Sequence, residues 1–597
     1  LAPSPESARQ LWDFYFAPWH EVGLGSKSAS PLWIPLIALG SLVTFGNVEV
    51  FISLFFILTP ILLFLSMHHL LKKVSDNRFL TAIAAILYSI SPVAISAVNS
   101  GRIGLIVLMV TAPFFVERAF QWRTIETFSI RAMAALSLAL AFVFSFAPAL
   151  LLVLIGLSVA AVVKDFDSFR IDQDQKVLNA RLARRATFIF IPILLTLPWS
   201  FELITSPRGL LLDIGLLSSG GGPNAAFLAN PGGAGSLPWW LISPITFILL
   251  VALFSVNRAR QIAVIGGSLI VFGTLFSTFS LAGKGTGASN ALYAGVFIAL
   301  ATLAATYAAV VILDSVRERL ISSHLNYRHL AASGLVVASI AYGLGASTWI
   351  VSQASQAPLQ SAQGEVLPPF LAIESQTKTL VIRERVIDSV PSLNYYIARG
   401  GDVSLGEADV VPREVPEIEL AVTGLADGSG ITSSKVLGSF GITYVFLKAP
   451  SQGTLVQTID GLGGFIRASS TDAGIVWKVA GATGNLVLTD VSGKSVQLKP
   501  TDTPDEYLVP GPGVVTLTQS YSRGWYLVQD GKRLTRIQSE LSLPQFSVEA
   551  AGPVLLIYDG SVRRGWISLH FIILLTAFIF AAPSGRRKRE ISDREIA

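Results

Sequence analysis

The apolar positions of this chain change their rhythm near residue 350. Before that point they gather into long runs, at approximately 49–71, 79–98, 103–120, 131–147, 148–163, 184–203, 237–256, 260–281, 290–313 and 329–350, and one more falls at 565–582. About 20 apolar residues in a helix cross a hydrocarbon core roughly 30 Å thick, so each run predicts a membrane span, about eleven in all. Pro148 interrupts "FVFSFAPALLLVL", a stretch too long for one span, and predicts a tight helical hairpin there. Residues 31–46, "PLWIPLIALGSLVTFG", are apolar but short, and read as an interfacial or re-entrant helix.

Basic residues orient these spans. Lys72, Lys73 and Arg78 share one connection, and Arg118, Arg123 and Arg131 the next on the same side. Lys164, Arg170, Lys176, Arg181, Arg184 and Arg185 follow, then Arg258 and Arg260, then Arg317, Arg319 and Arg328, and finally the tail "GRRKRE". With eleven spans all of them face one side, which the positive-inside rule makes the cytoplasm. The opposite short loops hold only isolated cations, among them Arg102, Arg208 and Lys284.

After residue 350 the pattern becomes alternating. "KTLVIRERV", "ITYVFLKAP", "GIVWKVA", "NLVLTDV", "VVTLTQS" and "PVLLIYDG" read as strands, with "GPG" and "QDGK" as turns. The expected architecture is a polytopic α-helical membrane protein with a β-rich α+β extracytoplasmic domain. Its parts are an outer aromatic loop over 1–30, a helical domain over 31–350, an outer α/β part over 351–480, a β-sandwich-like part over 481–563, and a last span with a basic cytoplasmic tail over 564–597. The expected location is the cell membrane, with multiple passes.

Composition narrows the chemistry. The 597 residues are 52% hydrophobic and 14% charged, against about 25% charged in soluble domains. There is no cysteine, which excludes disulfides, thiolate metal sites and a cysteine nucleophile. The histidines His20, His68, His69, His324, His329 and His570 are too scattered for a zinc cluster. No cofactor is expected, although a divalent metal held by carboxylates and water stays open. The net charge of +5 resides in the cytoplasmic connections, so topology accounts for it and no nucleic-acid partner is expected. The chain starts at Leu1 without a signal-like segment and reads as a fragment of a longer protein.

Several motifs admit a functional and a plain reading. In "LWDFYFAPWHEVGLGS", Asp13 or Glu21 suits a general base, which must reach the hydroxyl it deprotonates. Trp12, Tyr15 and Trp19 would then stack on the apolar faces of sugar rings; the alternative is an aromatic belt at headgroup level. Arg102 in "AVNSGRIGL" could hold the phosphate of a lipid-linked substrate through its forked donors, or snorkel to headgroups. Arg208 and Lys284 face the same choice, and Glu202 is either a cavity carboxylate or an exposed one. "GKGTG" lacks the glycine spacing of a phosphate loop. The Asp165–Asp167 and Asp172–Asp174 pairs of "KDFDSFRIDQDQK" read as part of a solvated connector. "LLSSGGGPNAAFLANPGGAGSLPWW" is a lid or a connector.

"LAPSPESARQLWDFYFAPWHEVGLGS", "AVNSGRIGLIVLMVTAPF", "LPWSFELITSPRGLLLDIGLL", "LGSFGITYVFLKAP" and "SRGWYLVQDGKRL" together resemble the membrane half and outer domain of large actinobacterial proteins of the family 2 glycosyltransferase type. The outer pieces are also similar to those of multi-spanning GT-C glycosyltransferases. The resemblance covers nearly the whole chain. It implies hexosyl or pentosyl transfer from a polyprenyl-phosphate-linked sugar to a cell-envelope polysaccharide, among membrane lipids. It also implies Asp13 as base with Glu21 second, Arg102 on the carrier phosphate with Lys284 as substitute, and Trp12, Tyr15, Trp19 and His20 around the acceptor. The alternative is a non-catalytic platform, binding or translocating a glycan made by a cytoplasmic nucleotide-sugar transferase domain outside this chain.

Overall fold

The computed structural model describes residues 7–120, 130–172, 175–205, 208–211, 222–232, 245–255, 257–282, 289–321, 327–353, 367–372, 377–387, 390–400, 405–410, 415–449, 451, 453–482, 484–539, 541 and 543–582. The helical half opens with α1 (Ala8–Phe16) and α2 (Trp33–Gly40), the latter ending in a 3-10 turn over Ser41–Thr44. Then come α3 (Val48–Leu71), α4 (Arg78–Ser89), α5 (Pro92–Asn99), α6 (Ile103–Phe120), α7 (Ile130–Phe146), α8 (Leu150–Asp172), α9 (Gln175–Leu194) and α10 (Trp199–Thr205). Short helices α11 (Arg208–Leu211) and α12 (Gly222–Phe227) lead to α13 (Ile245–Leu253), α14 (Asn257–Phe276), α15 (Gly295–Ile321) and α16 (Tyr327–Gln353).

Local chemistry sets several of these ends. Ser7 caps α1 in a capping box: its hydroxyl accepts from the Gln10 N–H while the Gln10 side chain accepts from the Ser7 N–H. The Asn47 and Asn77 side chains cap α3 and α4. Pro148 lies in the turn that separates α7 from α8. Centrally, α15 has 67% of its apolar window buried and offers Ala299, Ala301, Ala304, Ala305 and Ala308, whose small side chains let neighbouring helices approach.

Among the described residues, α3, Arg258–Phe276, Gly295–Arg317 and Ser561–Ala581 are long and apolar enough to cross a membrane, so this is a membrane protein. Counting two bent pairs as single crossings raises four to six, short of the eleven expected from sequence. The run at 79–98 is not one helix, because Pro92 starts a new one and α5 bends 40° from α4. The run at 184–203 breaks at Pro198 into α9 and α10, bent by 108°. A second correction concerns "KDFDSFRIDQDQK". Instead of a solvated connector, α8 continues into it as far as Asp172, and Asp165 is buried with Arg185 Nε at 2.6 Å and Arg181 Nη1 at 3.6 Å.

Past α17 (Pro369–Ala372), Lys378–Ile387 lies between an antiparallel partner, Val390–Arg399, and a parallel one, Ile442–Lys448. A parallel pair needs a crossover, supplied here through α18 (Glu407–Val410), α19 (Pro416–Asp427) and α20 (Ser433–Ser439). Gly474–Val479 and Phe465–Thr471 complete the five-stranded sheet, with α21 (Gly453–Gly461) between them and the parallel strand. Two further five-stranded antiparallel sheets run from Leu486 to Tyr558 around Leu488, Val515, Leu527, Phe546 and Val554. All six quoted alternating runs contain a strand. The final helix, α22 (Ser561–Ala581), is exposed over nearly all of its apolar length, so its flank is free to face lipid.

Lys378 joins the mixed sheet to the two-sheet part. Its buried ammonium donates to the Phe440 carbonyl at 3.1 Å, to the Thr518 hydroxyl at 2.9 Å and to the Thr518 carbonyl. Burial, then the charge of Arg399, push its pKa well down, while Glu21 pulls it up. Methionine fills similar space but leaves both carbonyls without this donor. Lys378→Met is therefore expected to lower stability by about 2 kcal/mol, read as a lower Tm for the β-rich half in a thermal melt of the full chain.

Candidate functional site

Helix α1 turns Leu11 and Tyr15 inward, four residues apart on one face. Tyr15 reaches α22, its hydroxyl 3.3 Å from His570 Nδ1, while His570 Nε2 lies 2.7 Å from the Leu195 carbonyl. A carbonyl only accepts, so Nε2 carries the proton, Nδ1 accepts, and the Tyr15 hydroxyl donates. Arg563 Nη2 donates to the Tyr15 carbonyl at 2.6 Å, and its guanidinium carbon lies 5.2 Å from the centre of that ring. The remaining Arg563 nitrogens, Nε and Nη1, are buried without a hydrogen-bond partner. Trp12 packs on the helical core, edge-on to Tyr15 and stacked on Phe16.

Beyond α1 the chain reverses, and His20 and Ser26 exchange backbone hydrogen bonds of 2.8 Å. Trp19 leaves in the other direction, toward the two-sheet part. Its Nε1 donates to Gln519 at 2.7 Å, and its ring meets Trp525 and Tyr558 at centroid distances of 5.2 and 5.0 Å. Gly25 passes beneath in a left-handed conformation (φ 93°), where a Cβ would come within 2.4 Å of the Trp19 ring. Ser520 N–H donates to the Leu24 carbonyl at 2.7 Å, and Arg399 Nε donates to the Gly23 carbonyl at 2.7 Å. The segment thus threads between the helices, the mixed sheet and the two-sheet part.

The two candidate bases face outward. Asp13 is 73% exposed and 4.0 Å from Arg9. Glu21 is 68% exposed, with Arg399 Nη1 at 3.9 Å. His20 is 3% exposed, packed on Phe14 with Nε2 3.1 Å from the Ser30 hydroxyl. Burial above all, then the positive charge of Arg563, bring its pKa down to about 4, so the ring is neutral near pH 7. Glu202 on α10 accepts from the Ala29 N–H at 2.7 Å, holding the end of this segment.

Arg102 occupies a second place, between α5 and α6. It is 2% exposed, and its guanidinium carbon lies 3.6 Å from the centre of the Tyr293 ring. The Tyr293 hydroxyl is 2.9 Å from Ser96 Oγ, which donates to the Gly232 carbonyl at 2.6 Å. Gly101 is left-handed (φ 65°), and the buried Ser100 hydroxyl has no hydrogen-bond partner. The sequence candidates therefore divide between two places. Lys284 and the side chain of Arg208 lie outside the described residues, as do the side chains of Asp167 and Asp172 and the whole of Asp174. Among the described residues, no three His, Asp or Glu side chains converge as metal ligands.

Sequence reasoning missed Arg563, Arg399 and His570. The last had a signal, being an ionisable residue within the apolar run "GWISLHFIILL".

The neutral His20 ties docking of the segment to pH. Its folded pKa, about 4, lies below the ordinary histidine value of 6.5, so between these values the unfolded chain binds more protons. Stability is fully present above pH 6.5, falls as pH drops toward 4, and is lower below that by about 3 kcal/mol. His20→Gln is expected to flatten this part of the Tm-versus-pH curve; an unchanged slope would remove His20 as its source.

No family model matches the chain, and no curated protein matches it. It is similar to cryo-EM structures of the arabinofuranosyltransferase AftD from Mycobacteria. One matches at TM-score 0.45 and 13% identity, over 82% of this chain and 39% of that one. A mutant form matches in one class at TM-score 0.43 and 14% identity, over 82% and 41%, and in a second class at 0.45 and 12%, over 94% and 58%. This chain therefore spans between 39% and 58% of the length of those proteins, and at such TM-scores they carry no argument about its chemistry.

Proposed function

We propose that this chain is the membrane region of a glycosyltransferase, moving a sugar from a polyprenyl-phosphate carrier to a cell-envelope polysaccharide on the side of the β-rich domain. The observation that carries this reading is Arg102, a buried guanidinium on the Tyr293 ring, beside the unpartnered Ser100 hydroxyl at the start of α6. A guanidinium held at the end of a helix bundle is placed where an anionic group of a membrane-borne substrate can reach it. The phosphate of a lipid-linked sugar suits that position, because its tail must lie among the helices while its charge stays at their end. The forked donors of arginine match phosphate oxygens, and the positive end of α6 adds to the attraction.

In the transfer, a carboxylate takes the proton of the acceptor hydroxyl. The freed oxygen attacks the anomeric carbon, and the bond from that carbon to the phosphate oxygen breaks, its electron pair leaving with the phosphate. Asp13 and Glu21 are the proposed bases, both accessible to an acceptor from solvent. Glu21 sits in the segment held from both sides, which favours it for a role that needs fixed geometry. Family 2 character belongs to the same proposal, with nucleotide-sugar chemistry in a cytoplasmic domain. A second reading, a non-catalytic platform for a glycan made by that domain, draws support from Tyr15 and Trp19, whose rings pack within the protein.

The test is transfer by the full-length protein in membranes supplied with radiolabelled polyprenyl-phosphate sugars. Arg102→Lys keeps the charge but loses the fork, and is expected to lower kcat/KM by about 100-fold. Glu21→Gln or Asp13→Asn is expected to abolish turnover while carrier binding persists. Full transfer by both carboxylate variants would remove them as bases, and no transfer from these donors by the wild-type protein would favour the platform.

A further inference from the structure

The turn that links α2 to α3 combines two properties that water does not favour together. Its donors are satisfied from within: the Phe45, Gly46 and Asn47 N–H groups donate to the Leu42, Ser41 and Thr44 carbonyls at 3.1, 2.8 and 3.1 Å. The Ser41 hydroxyl donates to the Ala38 carbonyl at 2.8 Å, and Thr44 Oγ1 lies 2.9 and 2.7 Å from the Ser41 and Asn47 carbonyls. Its side chains point the other way. Leu42, Val43 and Phe45 are 63%, 81% and 102% exposed. Phe45 holds a left-handed backbone (φ 56°), which costs a non-glycine residue about 1 kcal/mol or more.

Exposed apolar side chains continue from this turn down α3, through Val50, Leu54, Ile57, Ile61 and Leu65. At spacings of three and four residues they form one stripe on a helix long and apolar enough to span. One end of the segment is tied to the β-rich part and the other to the start of α1. Trp33 Nε1 donates to Asp409 at 3.2 Å, and the Ala8 N–H donates to the Gly46 carbonyl at 3.0 Å. The apolar helix and turn over Trp33–Thr44 are too short to cross a hydrocarbon core of roughly 30 Å.

We propose that Leu42, Val43 and Phe45 form a wedge that inserts into the hydrocarbon of the bilayer leaflet on the β-rich side, seating α1 and the opening segment at a fixed height on the membrane. Lipid hydrocarbon tolerates backbone only where its polar groups are bonded internally, and the N–H groups of Phe45, Gly46 and Asn47 meet that condition. The occupant is the lipid that already faces the α3 stripe. The inference rests on the membrane character of the helices, not on glycosyl transfer, so the two fail separately.

Because the chain has no cysteine, single labels report without background. Val43→Cys and Phe45→Cys, each carrying a nitroxide, would be reconstituted in phosphatidylcholine–phosphatidylglycerol vesicles. Power saturation would be measured with oxygen, which partitions into hydrocarbon, and with a water-soluble nickel chelate. Ile57→Cys on α3 and Val491→Cys in a turn of the two-sheet part are the lipid and water references. Labels at 43 and 45 are expected to match position 57, with an oxygen-to-nickel accessibility ratio several-fold above position 491. A ratio matching position 491 overturns the wedge, and so does protection from both reagents, which would place another protein copy on this surface.

Discussion

Tyr15 and Trp19 lie four residues apart and enter two different cores, and much of the molecule depends on that divergence. Tyr15 goes to the helices, through His570 and Arg563 on the final helix, while Trp19 goes to the two-sheet part, between Trp525 and Tyr558. The short reversal between them cannot slide without losing one ring or the other. It is sealed by backbone bonds between His20 and Ser26 and by the glycine that Trp19 covers. A hinge between membrane and β-rich halves would be the default for two bodies joined by few contacts. Here the bodies share a third segment that both bury, which makes their relative position part of the packing.

Hydrocarbon imposes the second constraint: every polar backbone group must find its partner inside the protein. The break between α9 and α10 shows how this is met. The Ser200 hydroxyl donates to the Ile193 carbonyl at 2.6 Å, Thr196 Oγ1 to the Pro192 carbonyl at 3.0 Å, and His570 Nε2 to the Leu195 carbonyl. Three side chains replace bonds that the bend removes. The His570 proton that satisfies the break also sets the tautomer that accepts from Tyr15, so the bend and the anchoring of α1 are coupled through one imidazole.

What was legible in the sequence follows from what periodicity encodes. Alternation located strands in the β-rich half, and Pro148 marked a helix break, because both are local properties. The bend after Leu194 was not legible, since an apolar run looks the same whether its helix continues or turns. Asp165 was misread for a related reason: spacing in "KDFDSFRIDQDQK" does not show that Arg185, 20 residues on, returns on the adjacent helix to bury it. The aromatic cluster at Leu11–Ser26 was recognised as special, but its composition suits a sugar platform, a belt or a joint equally. Only the distant partners of Trp19, which are Gln519, Trp525 and Tyr558, distinguish these.

The two candidate places differ in a way that bears on their roles. Arg102 is enclosed, so any charge it binds is held in a low dielectric, where an ion pair with phosphate is strong and water is kept from the leaving group. Asp13 and Glu21 stand in solvent, where a carboxylate is reachable by a bulky acceptor. A lipid-linked donor and a polysaccharide acceptor differ in the same sense, one arriving within the membrane and the other from water. For the proposed transfer the two places must meet across one donor, its sugar reaching from the phosphate at Arg102 to the acceptor at a carboxylate.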